Sequence, residues 1–80
     1  ASTVHFVAGD PEPTTDDEAQ DVQRIVVADG GRGLKVSWRL CTGQVLGVDA
    51  TGPPAMLARI ADLWMEDATP DEIRAGGYLA

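Results

Sequence analysis

The clearest alternation of apolar and polar residues in this 80-residue chain lies at residues 34–41, which read Leu34-Lys35-Val36-Ser37-Trp38-Arg39-Leu40-Cys41. Successive side chains of a β-strand point to opposite faces of the sheet. The pattern therefore predicts a strand whose apolar face consists of Leu34, Val36, Trp38 and Leu40. The opposite face is basic or polar and carries Lys35, Ser37, Arg39 and Cys41.

A β-rich run at residues 23–29 precedes this strand, and the two runs are separated by Gly30-Gly31-Arg32-Gly33. A glycine cluster between two such runs supplies the positive φ angles of a hairpin turn. The sequence is compatible with a loop of two residues or of four. In either register, Ile25 and Val27 lie on the same face of the sheet as the apolar residues of the strand at 34–41.

A second turn at Thr42-Gly43-Gln44 leads into Val45-Leu46-Gly47-Val48 and predicts a third strand. A three-residue loop with Gly43 in the left-handed region would place Leu46 and Val48 on the core face, whereas a two-residue loop would place Val45 there. We favour the three-residue loop because it buries two apolar residues instead of one. The three strands together predict an antiparallel meander.

The segment Thr51-Gly52-Pro53-Pro54 is typical of a helix start, because proline is tolerated in the first turn, and it predicts a helix over residues 55 to about 67. On a helical wheel its apolar residues sweep roughly 220°. A helix that packs on one small sheet buries about half of that arc, so the excess predicts a second burying surface. The apolar residues are Met56, Leu57, Ala58, Ile60, Ala61, Leu63, Trp64 and Met65.

A short second helix is predicted from Thr69-Pro70-Asp71-Glu72, which has the form of a capping box with Thr69 as N-cap. Gly76-Gly77 ends this helix after about six residues. Tyr78 and Leu79 are then expected to fold back over the edge of the core. The fold class expected from the sequence is thus α+β: a three-stranded antiparallel meander packed on one main α-helix, followed by a short capped helix.

The residues ahead of the meander differ sharply in composition. Residues 3–8 are β-rich, and we interpret them as an arm that adds a strand to a sheet edge, either of its own chain or of a neighbour. Residues 9–21 contain six acids, two prolines and no large apolar side chain, which predicts a mobile linker. The expected organisation is therefore an N-terminal arm and acidic flexible linker at 1–21 and a small α+β domain at 22–80.

Charge is sorted along the chain, whose formal net charge is −7. Residues 22–43 carry four basic residues and one acid, whereas residues 44–80 carry six acids and two arginines. Arg24, Arg32, Lys35 and Arg39 form a candidate face for an anion or an acidic partner. That partner could be the chain's own acidic segment, but the sequence slightly favours the alternative in which the segment and the sheet are both solvated. Nucleic acid is disfavoured by the sequence pI of 4.3 and by the absence of an exposed aromatic residue among these cations, since Trp38 falls on the apolar face.

Candidate chemistry is sparse. Cys41 and His5 are the only residues of their types, so one chain holds neither an internal disulfide nor a Cys/His metal site. The alternating acids of residues 10–21 lack the glycine and the final glutamate of a calcium loop. The carboxylates of Asp62, Glu66 and Asp67 are typical of a solvated helix strip. We therefore expect no catalytic, cofactor-binding or metal-binding residues and no enzymatic activity.

The wide apolar arc leads to the functional hypothesis, because Trp and Met are enriched in interface cores. The expected partner-binding residues are Leu57, Ala61, Trp64, Met65, Tyr78 and Leu79. The chain is interpreted as a non-catalytic protein-interaction module that self-associates or docks on a larger assembly, as a structural or assembly subunit. The alternative is an acidic inhibitor of the antitoxin, immunity or nucleic-acid-mimic type, and a third reading is an enzyme accessory subunit.

Location is inferred only from what the sequence lacks. No apolar run approaches the ~20 residues of a membrane span, and the first residues do not have the pattern of a secretory signal. We expect a chain of the cytoplasm, or of an intracellular particle, without a membrane partner.

Overall fold

The computed structural model describes residues 3–11, 22–29 and 31–80, and the backbone alone for 22–24, 28 and 29. The strands of these ranges are β1 (Val4–Gly9), β2 (Val22–Asp29), β3 (Leu34–Cys41) and β4 (Gln44–Gly52). Two helices follow, α1 (Pro54–Met65) and α2 (Pro70–Ala75). The strands form one antiparallel sheet in the order β1-β4-β3-β2. The α+β class expected from the sequence is confirmed.

The first hairpin has the longer of the two predicted loops. Ile25 pairs with Trp38 and Val27 with Val36, and Asp29 pairs with Leu34, so four residues connect β2 to β3. Gly33 takes a positive φ of 76° in this turn. The predicted apolar face is confirmed, since Leu34, Val36, Trp38 and Leu40 are all buried.

The second hairpin differs from the expectation, and the three-residue loop is wrong. Cys41 pairs with Gln44, so the turn has two residues, Thr42 and Gly43, with φ angles of 46° and 79°. Positive φ at both positions is the mark of the type I′ turn, whose twist matches that of the flanking strands.

A β-bulge at Leu46 explains how both Val45 and Val48 can face the core after this shorter turn. Leu40 pairs with Val45 but Arg39 pairs with Gly47, so Leu46 is the extra residue of β4. The bulge shifts the alternation by one position. Val45 therefore packs against the core, and Val48 and Ala50 farther along the strand are buried in it.

The N-terminal strand lies in the sheet of its own chain. β1 pairs with β4 in antiparallel register, with Phe6 opposite Ala50 and Ala8 opposite Val48. Phe6 and Ala8 are partly buried and pack against the core. The predicted acidic linker falls mostly on residues 12–21, which lie outside the described residues.

The helices cover the apolar face of the sheet. α1 packs on β1 and β4 and buries Leu57, Ile60 and Leu63. Its N-cap is Pro53, so the helix begins one residue earlier than expected and ends about two residues earlier. Within the described ranges, no helix is both long and apolar enough to span a membrane.

The predicted capping box opens α2. Thr69 Oγ1 accepts a hydrogen bond from the backbone N–H of Glu72 at 3.2 Å, and Glu72 Oε1 accepts one from the backbone N–H of Thr69 at 3.2 Å. Beyond the helix, Leu79 is buried in the core and the carbonyl of Tyr78 accepts a 2.6 Å hydrogen bond from Trp38 Nε1. The expectation that residues 78 and 79 fold back over the core edge is confirmed.

Candidate protein-docking site

A groove of about 380 Å³ lies between the end of α1, the start of α2 and the β3–β4 turn. Its floor and walls are apolar and are formed by Trp38, Val45, Leu63, Trp64, Ala68 and Ile73. Its polar edge is formed mainly by Gln44, Asp67 and Thr69. A concave apolar surface with a few polar groups is the usual form of a binding site.

The groove exists because of the way α1 ends. The backbone N–H of Ala68 donates to the carbonyl of Leu63 at 3.0 Å, and that of Asp67 donates to the carbonyl of Trp64 at 3.2 Å. This pair of bonds is the Schellman motif, with Asp67 in the left-handed position at φ 54°. The motif turns the chain sharply toward α2, and the small side chain of Ala68 leaves space above Leu63.

The predicted partner-binding residues separate into two groups. Trp64 is partly buried in the wall of the groove, and Met65 beside it is 78% exposed. Ala61 and Tyr78 are partly buried. Leu57 on α1 and Leu79 beyond α2 are both buried in the core. The most exposed of the predicted residues, Met65, is therefore at the C-terminal end of α1.

Part of the wide apolar arc is covered by β1. Gly9, at the end of β1, approaches the Trp64 indole so closely that a Cβ at this position would overlap the ring. The glycine has a φ of 64°. The chain's own N-terminal strand thus supplies part of the second burying surface that the sequence predicts for α1.

The predicted basic face requires a correction at Arg39, which is only 3% exposed instead of projecting into solvent. Its Nη1 donates to the carbonyl of Asp10 at 2.9 Å and lies 3.0 Å from Asp10 Oδ2. The backbone of Asp10 and Pro11 can reach this position because it passes over Gly47, where a Cβ would overlap it. One acid of the N-terminal segment thus folds back on the basic face.

The other cations of this face are arranged differently. Lys35 and Arg32 are exposed, and Arg24 is paired with Arg39 in the register of β2 and β3. The side chain of Arg24 lies outside the described atoms. The four residues are therefore not one uniform exposed patch, since Arg39 is covered.

His5 is held in a contact that the sequence analysis missed. His5 Nε2 donates to Asp49 Oδ1 at 2.7 Å on the face of the sheet opposite α1. The two residues are 44 positions apart, and only the pairing of β1 with β4 brings them together. No spacing rule in the sequence signals such a pair.

The acids around the groove differ in their partners. Asp71 pairs with Arg74 at 3.1 Å, Glu66 lies 3.9 Å from Arg59, and Glu72 is engaged in the capping box. Asp67 at the groove edge makes no side-chain hydrogen bond or ion pair with any residue that the structure describes. The same part of the chain contains no group of three or more potential metal ligands.

No family model, no curated protein and no solved structure matches the chain. The shape and charge of the site are therefore the grounds for a functional proposal.

Proposed function

We propose that this protein is a non-catalytic protein-interaction module that docks, on a second copy of itself or on a larger assembly, through one surface. This docking surface consists of Trp64, Met65 and the adjoining groove. The observation that carries the proposal is the exposure of Met65, which is 78% accessible and directly follows Trp64, one of the residues that line the concave apolar groove. Methionine and tryptophan are over-represented where interfaces are fully buried.

The chemistry of the groove supports binding over catalysis. Asp67 is the one ionisable side chain among the residues that line it. General acid–base or nucleophilic catalysis relies on at least two groups within hydrogen-bond reach of each other. The groove instead offers an apolar floor and a partly polar edge, which is the usual composition of an interface core and its rim.

The size of the groove indicates what it would hold. About 380 Å³ accommodates one or two large side chains and not a whole folded partner. A stable interface buries roughly 800 Å² on each side. The groove would therefore receive an anchoring side chain while Met65 and the neighbouring surface of α1 supply the surrounding contact.

Site-specific photo-crosslinking tests the proposal. A benzoylphenylalanine at position 65 should form crosslinks to a second copy or to a specific partner whose crosslinked peptide can be identified by mass spectrometry. The matched control is the same group at position 26, because Val26 is another exposed apolar residue, on β2, and is not one of the residues that line the groove. Equal crosslinking at the two positions, with a monomer in sedimentation at about 0.5 mM, would contradict the proposal.

A companion variant measures the energetic role of Met65. Met65→Ser removes apolar area from the docking surface without touching the core, so we expect association to weaken by about tenfold. Val26→Ser should leave association unchanged. Equal stability of both variants against urea would show that the difference lies in binding and not in folding.

The alternative of an acidic inhibitor is favoured by one observation, the exposure of the acids on the helices. Residues 53–80 carry five acids and two arginines, all exposed. An inhibitor that acts through these charges would lose its binding between low and high salt, whereas docking through Met65 and the groove would keep its apolar part.

A further inference from the structure

We infer that the groove takes a bulky apolar side chain from a basic protein segment, so that the partner is a cationic peptide or helix with an apolar anchor. This inference rests on the proposed docking function and names the chemistry of its partner. It combines three features of the groove: its apolar floor, the carboxylate at its edge and the position of that carboxylate in the backbone.

The floor determines the anchor. Trp38, Leu63 and Ile73 are buried beneath the groove, and Val45 and Trp64 form partly buried walls. A side chain that enters contacts carbon atoms on several sides, and burial of a Leu or Phe side chain is worth about 2 kcal/mol. A phenylalanine or leucine is the matching occupant, since a polar side chain would leave its hydrogen bonds unsatisfied there.

Asp67 determines the charge of the segment around the anchor. It lines the groove, it is exposed, and it has no side-chain partner in the described part of the chain. The neighbouring acids Glu66, Asp71 and Glu72 already have internal partners. A lysine or arginine beside the anchor would pair with Asp67 and could also stack on the Trp64 indole.

The backbone conformation of Asp67 also supports a binding role for its side chain. Its left-handed position after α1 is the one at which glycine is the preferred residue. Asp tolerates this conformation better than most residues but is less stable there than glycine. The carboxylate at the groove edge therefore makes the end of α1 less stable than a glycine would. Such a loss of stability is common where a side chain serves binding.

Charge argues against the other occupants. The chain has a formal net charge of −7, so a second copy brings like charges together, and a nucleic acid is repelled in the same way. The helical layer that surrounds the groove has more acids than bases, as described above. A basic segment is the occupant that the excess of negative charge around the groove attracts.

Peptide titration into the full chain tests the inference. The probe is an acetylated, amidated peptide of sequence Lys-Arg-Leu-Phe-Leu-Lys-Arg. It contains no tryptophan, so the fluorescence of the protein's own Trp38 and Trp64, which both line the groove, reports binding. Two matched peptides replace the Leu-Phe-Leu core by three alanines or all basic residues by Gln. We expect each replacement to weaken binding by about fivefold or more at low salt.

Variants of the protein test whether the basic peptide binds at the groove. Asp67→Asn keeps a residue that tolerates positive φ and removes the charge, so the Kd for the basic peptide should rise about fivefold at about 20 mM salt and far less at about 0.5 M salt. Gln44→Lys places a cation at the polar edge of the groove and should weaken binding similarly. The control is Asp62→Asn, an equal charge change on an exposed acid of α1 outside the groove, which should alter Kd less than twofold.

Several results would overturn the inference. Equal affinity of the Gln peptide would show that charge does not select the partner, and equal effects of Asp67→Asn and Asp62→Asn would remove Asp67 from the site. Equal affinity of the Ala peptide, or no binding of any peptide, would remove the anchor. The docking function is judged separately by crosslinking at position 65, so either idea can fail alone.

Discussion

Asp67 shows at the scale of one residue how stability and binding can oppose each other. Replacing it with glycine should raise the free energy of unfolding by about 0.5–1 kcal/mol, because glycine adopts the left-handed end of α1 without steric cost. The same variant should weaken the binding of the basic peptide. Urea denaturation and peptide titration on one preparation measure both effects.

The control for this prediction is Asp67→Ala, which removes the same charge but is strained at positive φ. It should lower the free energy of unfolding by about 1 kcal/mol. Equal stabilities of the Gly and Ala variants would contradict the interpretation of the helix end.

Trp38 is fully buried, and its indole N–H has one protein acceptor, the Tyr78 carbonyl at 2.6 Å. Trp38→Phe should lower the free energy of unfolding by about 2–3 kcal/mol, because it leaves a cavity and an unpaired carbonyl. Trp64→Phe, at the partly exposed groove wall, should cost less than about 1 kcal/mol. Urea denaturation followed by far-UV circular dichroism measures both; similar losses would contradict the assigned burial.

Two glycines with similar φ angles separate steric contact from backbone strain. Gly9 and Gly33 have φ angles of 64° and 76°, but a Cβ at Gly9 would overlap the Trp64 indole, whereas nothing lies within 4 Å of one at Gly33. Gly33→Ala should cost about 1 kcal/mol, and Gly9→Ala about 2 kcal/mol more. Thermal unfolding of both variants checks the difference, and equal costs would show that β1 does not contact α1 this closely.

Single residues also show where sequence reasoning stops. The burial of Val36 and Trp38 follows from alternation within one strand, which is local information. The burial of Arg39 depends on Asp10 crossing the sheet above Gly47. A residue 29 positions away causes it, and no pattern around Arg39 records that contact.

At the scale of elements, the capping box is the clearest case of a local signal that determines local structure. Thr69→Ala should lower the free energy of unfolding by about 1 kcal/mol, because the backbone N–H of Glu72 loses its acceptor. Thr69→Ser should retain nearly all of the stability. Denaturant titration distinguishes the two, and a loss of the same size in the serine variant would exclude the hydrogen bond as the cause.

The second hairpin shows why an element can be predicted while its register is not. Pattern matching assumes a regular strand, in which only Val45 or the pair Leu46 and Val48 can face the core. The extra residue at Leu46 removes that choice and lets Val45 and Val48 share one face. The groove depends on this, since Val45 forms part of its wall.

At the scale of the whole molecule, β1 completes the sheet and covers one side of α1. Deleting residues 1–9 would uncover the edge of β4 and remove Phe6 and Ala8 from the core boundary. We expect a loss of about 3 kcal/mol or more and increased binding of a hydrophobic dye. Deleting residues 1–3, which precede the strand, is the control and should change neither; an unaltered stability after removal of β1 would show that the remaining residues fold without it.

The candidate site also depends on the arrangement of the whole molecule. The sequence predicts a partner-binding surface at the end of α1, because Trp64 and Met65 extend the apolar arc, and this stays a prediction. It could not show the groove, which needs the end of one helix, the start of the next and a distant turn to meet. The structure brings these together, and Leu57 and Leu79 become interior residues in the process.

The hydrogen bond from Trp38 to Tyr78 also affects the order in which the molecule can form. The indole belongs to the central hairpin, yet its acceptor lies 40 residues later in the chain. In a growing polypeptide that ends after this hairpin, the helices do not yet cover the apolar face. The indole N–H of Trp38 does not yet have its acceptor. Contacts between distant segments slow folding. We therefore expect the strand pairing to open and close during synthesis and to become stable only when residues 78 and 79 have been added.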